Sequence, residues 1–343
     1  MIIHRIFAAA AVLSACLPSV AAAQVKYIDV HAHLIGSAGR DMTDYPGAAR
    51  VAVSSMDEFG AARMIVMPPP LSPGMPMMDA DELLDAVARY PSRFAVVAGG
   101  GSLNPMMHEA IRGGDLSDAV KQRFVQTAER LASKPIVGFG ELTTEHFSLG
   151  PGHPYLRVPA DNPFLLLLAD VAAKHDMPIE LHMEAIDTSA GLNPKYRSPP
   201  NPAQLVPNIP NLERLLAHNR NARIIWSHAG WDNTGQRTPE LHRRLFAAHP
   251  NLYVNTKMSG DSLPANRIAP RETGMDAGWL AVIKEFPDRF LLATDQFHVT
   301  PSSNQRFPRH PQVARVIIDG LPPDLAHRIG MENPLKVYPR LSK

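Results

Sequence analysis

The run Asp29-Val30-His31-Ala32-His33 closes a short apolar segment and sets two imidazoles two residues apart. On a β-strand, side chains at that spacing point to the same face, so both rings project together. Two neutral imidazoles held in that way can grip one metal ion, although a lone His-x-His also occurs as a hydrogen-bonded surface or core pair. The same chemistry recurs along the chain. Glu141, His182, His228 and Asp295 each close a further apolar run, in Gly140-Glu141, Leu181-His182, Ser227-His228-Ala229-Gly230 and Thr294-Asp295. Ionisable groups in such places are costly unless paired or bound to metal, so the recurrence favours one metal centre built from several strands over unrelated satisfied core residues. His146 and His153 come after Glu141, His298 after Asp295, and Trp231 directly after the His228 motif, and all four are candidates for touching substrate. Arg157 and Arg197, in long loops, are candidates for a bidentate fork on a substrate carboxylate.

Eight short apolar runs must position these groups: Tyr27–His33, Arg63–Met67, Phe94–Ala98, Ile136–Glu141, Ile179–His182, Arg223–His228, Leu252–Asn255 and Phe290–Asp295. A helical pattern, or a long loop plus a helix, follows each, as in Asp81–Arg89, Ser117–Ala132, Pro163–His175 and Pro239–His249. Eight βα units in series predict a single α/β domain, a closed parallel (β/α)8 TIM barrel. A doubly wound sheet would place a Gly-rich phosphate turn after the first strand, and none is there. The segments after strands three, four and five are long, and the stretch from Glu184 to Pro210 is rich in Pro and Asn. The chain's 33 prolines are about twice the usual share, which suits stiff loops over the catalytic face rather than disorder.

At the start of the chain, Arg5 precedes the apolar run Ile6 to Ala15, and small residues follow, ending in Ala21-Ala22-Ala23. That pattern predicts a signal peptide over residues 1–23, leaving 24–343 as an exported, most simply periplasmic, domain. The apolar run is shorter than the roughly 20 residues that span a bilayer. Leu13-Ser14-Ala15-Cys16 also resembles a lipobox, which would instead lipidate Cys16. Cys16 is the only cysteine, so disulfides, Cys-ligated zinc and thiol nucleophiles are excluded from the folded part. Without Arg5 the remaining 33 basic and 33 acidic residues cancel, and no charge block points to nucleic acid or to a second membrane span. A small-molecule substrate is the expected partner; oligomeric state leaves no mark in the sequence.

Taken together, the strand-end residues resemble the amidohydrolase superfamily, and within it the amidohydrolase-related family that includes aminocarboxymuconate-semialdehyde decarboxylase. The resemblance runs from Val25 to the closing Asn333-Pro334-Leu335. It implies that His31 and His33 are first-strand ligands, His182 the fifth-strand ligand, His228 the sixth-strand histidine and Asp295 the eighth-strand carboxylate. Many members carry a carbamylated lysine at the end of strand four; here Glu141 stands in its place, and no lysine nearby can replace it. Glu141 would then bridge two ions, with His31, His33 and Asp295 on one and His182 and His228 on the other. Alternatively one ion takes His31, His33, His182 and Asp295, and His228 is left to polarise the substrate. An all-N/O donor set suits Zn2+ best, with manganese or iron also compatible.

A divalent ion lowers the pKa of bound water from roughly 16 to about 7, which predicts a hydrolase acting on a C–O or C–N bond of a lactone, ester or amide-like small molecule. Asp295 is expected to serve as general base and then acid, and His228 or the ion to stabilise the developing oxyanion. Two alternatives are non-oxidative decarboxylation of an unsaturated or aromatic carboxylic acid on the same scaffold, and a non-catalytic periplasmic binding protein.

Overall fold

The computed structural model describes residues 25–342 apart from 38–42, 73–77, 151–152, 197–199, 232, 258–262, 264–265, 271–273 and 306–310. The predicted leader with Cys16, and Arg197, lie outside the described residues. The apolar runs form strands β1 (Tyr27–Ile35), β2 (Ala61–Val66), β3 (Phe94–Gly99), β4 (Gly138–His146), β5 (Pro178–Met183), β6 (Arg223–Trp226) and β7 (Leu252–Thr256). Of the eighth run, Phe290–Asp295, only β8 (Phe290–Leu292) is strand, and a further strand, β9 (Gln296–Val299), follows directly after that run. Each strand from β1 to β8 pairs in parallel with the next, and β9 pairs in parallel with β1. Only Ala293, Thr294 and Asp295 separate β8 from β9, so the sheet returns to its first strand. Two backbone bonds stitch that gap, Ala293 N to Thr256 O at 3.1 Å and Asp295 N to His31 O at 2.8 Å. The result is one mixed α/β unit around a central parallel sheet.

Helices cover the sheet because their apolar faces and caps are written locally. The helix Pro163–Lys174 starts with Pro at its first position, where no N–H is needed, and the Asn162 side chain accepts from the amides of Phe164 and Leu165. The helix Tyr45–Phe59 ends at Gly60, whose φ of 80° is the left-handed cap that glycine adopts freely. The helices Ala80–Val87, Asp118–Ala132 and Pro239–Ala248 agree with expectation to within two residues. The segment after β3, by contrast, begins with a helix that the loop-like sequence concealed, Leu103–Gly113. Pro105 looks like a breaker but falls in the first turn, where proline is tolerated.

The strands also sort their side chains. Ile28, Val30, Ile65, Val97, Ile225 and Leu291 pack in one cluster with Val337, Tyr338 and Leu341 of the C-terminal segment. Tyr27, Ala32 and Leu34 belong to the larger cluster shared with the helices. Strict alternation would send His31 and His33 to the same side as Tyr27. The pairing of β1 with β2 is irregular between Asp29 and Ala32, and such an irregularity re-aims the residues beyond it. That local slip turns both imidazoles away from the helix layer. No helix among the described residues is long and apolar enough to cross a membrane.

Candidate metal centre

Asp29 anchors the start of the site. Its carboxylate accepts from the Thr294 amide at 3.0 Å, the Thr294 hydroxyl at 2.6 Å and the His31 amide at 3.3 Å, tying β1 to the break between β8 and β9. Burial nevertheless pushes Asp29 up to about 6 against those hydrogen bonds. Asp295 lies in that break with φ of 50°. On β4, Gly140 has φ of 154°, and a Cβ there would stand 2.8 Å from the Glu180 Cβ, so only glycine lets β4 approach β5 where Glu141 follows. After β6, His228 has φ of 59°, an uncommon conformation for a non-glycine residue. Its amide donates to Asn255 Oδ1 at 2.7 Å and its carbonyl accepts from Arg237 Nη1 at 3.1 Å, which hold the turn. Gly230 completes it, because a Cβ there would meet the Trp226 ring at 2.4 Å.

These devices bring six buried side chains together. The Nε2 atoms of His31 and His33 are 3.2 Å apart, and Asp295 Oδ1 lies 3.6 Å from the first and 3.0 Å from the second. Glu141 divides its carboxylate: Oε2 lies 3.5 Å and 3.6 Å from His31 and His33, while Oε1 lies 2.7 Å from His182 Nδ1 and 3.4 Å from His228 Nε2. Asp295 Oδ2 is 3.7 Å from His228 Nε2. Three overlapping triads suited to an ion result: His31, His33 and Glu141; Glu141, His182 and His228; His31, His228 and Asp295.

The imidazole tautomers fit a metal. His31 Nδ1–H donates to Glu180 Oε2 at 2.7 Å and His33 Nδ1–H to the Met67 carbonyl at 3.0 Å, leaving both Nε2 lone pairs for the centre. Among the described residues, His182 Nε2 and His228 Nδ1 are buried without a hydrogen-bond partner. Burial opposes charge on His31, yet Glu141 and Glu180 hold it well above the usual histidine range. Burial likewise opposes charge on Glu141 and Asp295, but His31, His182 and His228 around the first, and Lys257, His228 and His33 around the second, keep both ionised well below the carboxylate range. A dry pocket that draws a proton onto one histidine and keeps two carboxylates charged is one where a divalent cation is welcome.

The amidohydrolase family model matches residues 28–340. The chain belongs to this family. No curated protein matches its sequence. Among solved structures, it is similar to 2,6-dihydroxybenzoate decarboxylase complexed with 2,6-dihydroxybenzoate, at 17% identity and TM-score 0.52 over 92% of this chain and 98% of that one. It is also similar to the lactonase Lmo2620 of Listeria monocytogenes, at 13% identity and TM-score 0.47 over 92% and 95%. At 17% identity the likeness to the decarboxylase concerns the fold alone.

Within this amidohydrolase, the substrate candidates from the sequence separate. His146 stacks on His182 with ring centroids 4.5 Å apart, His153 lies beside His146 at 4.9 Å, and Trp231 stands 5.3 Å and 5.1 Å from the rings of His182 and His228. Arg157 is engaged by Glu145 at 3.2 Å. His298 is buried but faces a cavity of about 390 Å³ between the helix Tyr45–Phe59 and the segment Gln296–Gln305, and it does not join the cluster. A lysine that the sequence reading did not single out does enter the site. Lys257, directly after β7, enters the site, pairs with Asp295 Oδ2 and lies 3.6 Å from the centre of the Trp231 ring. It does not take the place of Glu141. Sequence reading also passed over Glu180, whose carboxylate accepts from His31, Ser227, Asn255 and Tyr338. A glutamate two residues before His182 on an inward face was the available signal.

Proposed function

We propose that this amidohydrolase is an exported, metal-dependent hydrolase on a closed (β/α)8 barrel, residues 24–343, that adds water across a C–O or C–N bond of a small molecule. The observation that carries the reading is the divided carboxylate of Glu141, which turns Oε2 to His31 and His33 and Oε1 to His182 and His228. One carboxylate facing two histidine pairs suits two ions, and the N/O donors suit zinc. Ions held there supply Lewis acidity and a water acidic enough to attack at neutral pH.

The chain's own groups do the rest. Asp295, kept ionised inside the site, takes the proton from the attacking water and later returns it to the leaving group. His228, fixed by Asn255 and Arg237, directs Nε2 at the reacting centre and helps to hold the developing oxyanion. Trp231 and His146 pack on the ring of His182 and form a wall of the site. The leader-like residues 1–23 support export.

Metal analysis of the purified protein, followed by a panel of lactones, esters, amides and aromatic acids in 18O-labelled water, tests the reading. Two ions per chain and one label per turnover are expected. Release of CO2 without incorporation of water would make the protein a lyase instead.

A further inference from the structure

Among the described residues Lys257 is the cation in contact with the ligand cluster, and it is only 5% exposed. Among the described residues its ammonium meets the Asp295 carboxylate and the face of Trp231. The other cations near the site are engaged elsewhere: Arg157 is tied to Glu145, and Arg237 donates to the carbonyls of His228 and Asn266. Burying an ammonium is costly unless its charge is met, and a methionine or leucine would fill the same space at lower cost. Asp295 meets that charge only in part. Its other oxygen, Oδ1, faces His33 and His31, so its single negative charge also serves the cluster that holds the metal. Cations bound at that cluster leave Lys257 as surplus positive charge in a dry site, and an anion brought by the substrate balances it.

We infer that the Lys257 ammonium, backed by the Trp231 ring, receives an anionic group of the substrate, and that the substrate of this hydrolase therefore carries a carboxylate. One ammonium with three donors matches a singly charged carboxylate. The inference rests on the metal-dependent reading above and assigns the substrate class for the same site.

The test uses benzoate and its neutral isostere benzamide, titrated by calorimetry into the metal-loaded wild type and Lys257→Met, with metal content measured on both. Wild type should prefer benzoate by roughly 10- to 100-fold, and in K257M the preference should shrink to within about threefold at unchanged metal content. Lys257→Arg should keep most of it. A lysine that only steadies Asp295 would weaken both probes alike, leaving their ratio unchanged, and that result overturns the inference. So does equal binding of the two probes, or of neither, by wild type. Should K257M fail to fold, as judged by circular dichroism, Lys257→Gln takes its place and must lose the preference. A wild type that holds no metal sinks the hydrolase reading and with it the surplus charge on Lys257, whereas bound metal without a benzoate preference overturns the inference alone.

Discussion

Nδ1 of His31 lies 2.7 Å from Oε2 of Glu180, and both residues are shut off from solvent. The contact decides which nitrogen of His31 can act, because a proton held between Nδ1 and Glu180 leaves Nε2 to face Glu141 and Asp295. Glu180 is itself fixed by Ser227, Asn255 and the Tyr338 hydroxyl, so β5, the turn after β6, β7 and the C-terminal segment cooperate in aiming one imidazole. Glu180→Gln keeps the shape and removes the charge. Its metal affinity should fall by about 10- to 100-fold, read by competition with a chelator, with the fold retained.

Glu141 makes the difference between one ion and two. Glu141→Ala removes the carboxylate that reaches His31, His33, His182 and His228 alike, so bound metal should fall from two equivalents to at most one by elemental analysis. Two equivalents retained by E141A would show that the second ion does not depend on this carboxylate.

What the sequence made legible here has a physical pattern. His31, His33, His182, His228 and Asp295 stood out because each closes an apolar run, where an unpaired ionisable group is expensive. Glu180 and Lys257 did not, since a glutamate inside a strand and a lysine after one read as ordinary solvated residues until their neighbours are known. The facing of His31 was concealed in a different way. It depends on the irregular pairing of β1 with β2 between Asp29 and Ala32, which involves a second strand and so leaves no mark in β1 itself. The order of strands was readable because eight βα units admit few arrangements, whereas the break between β8 and β9 depends on Thr294 bonding across to Asp29.

Asp295→Asn separates binding from proton transfer. The amide keeps an oxygen for the cluster but loses the base, and it no longer matches the charge of Lys257. Turnover should fall by about 10²- to 10⁴-fold while metal remains bound. Full activity in purified D295N would remove Asp295 from the mechanism.

Stability should fall in mild acid because of a histidine that is not in the ligand cluster. His242 is fully buried, with its ring 5.3 Å from that of Trp226 and 4.8 Å from that of Trp279, and its Nδ1–H donates to the Thr238 carbonyl at 2.9 Å. Burial outweighs that hydrogen bond and, helped by Arg237, lowers its pKa to about 4. The unfolded chain accepts a proton at the ordinary value near 6.5, so from there down to about 4 it binds a proton that the folded state refuses. Folding is therefore favoured above pH 6.5 and progressively lost below it, by an amount on the order of 3 kcal/mol once pH reaches the folded value. His242→Asn should lower stability at every pH, because the ring stacking is lost, yet narrow the gap between pH 7 and pH 4.5 in urea titrations. An unchanged gap in H242N would place the acid sensitivity elsewhere, with the carboxylates of the metal centre next in line.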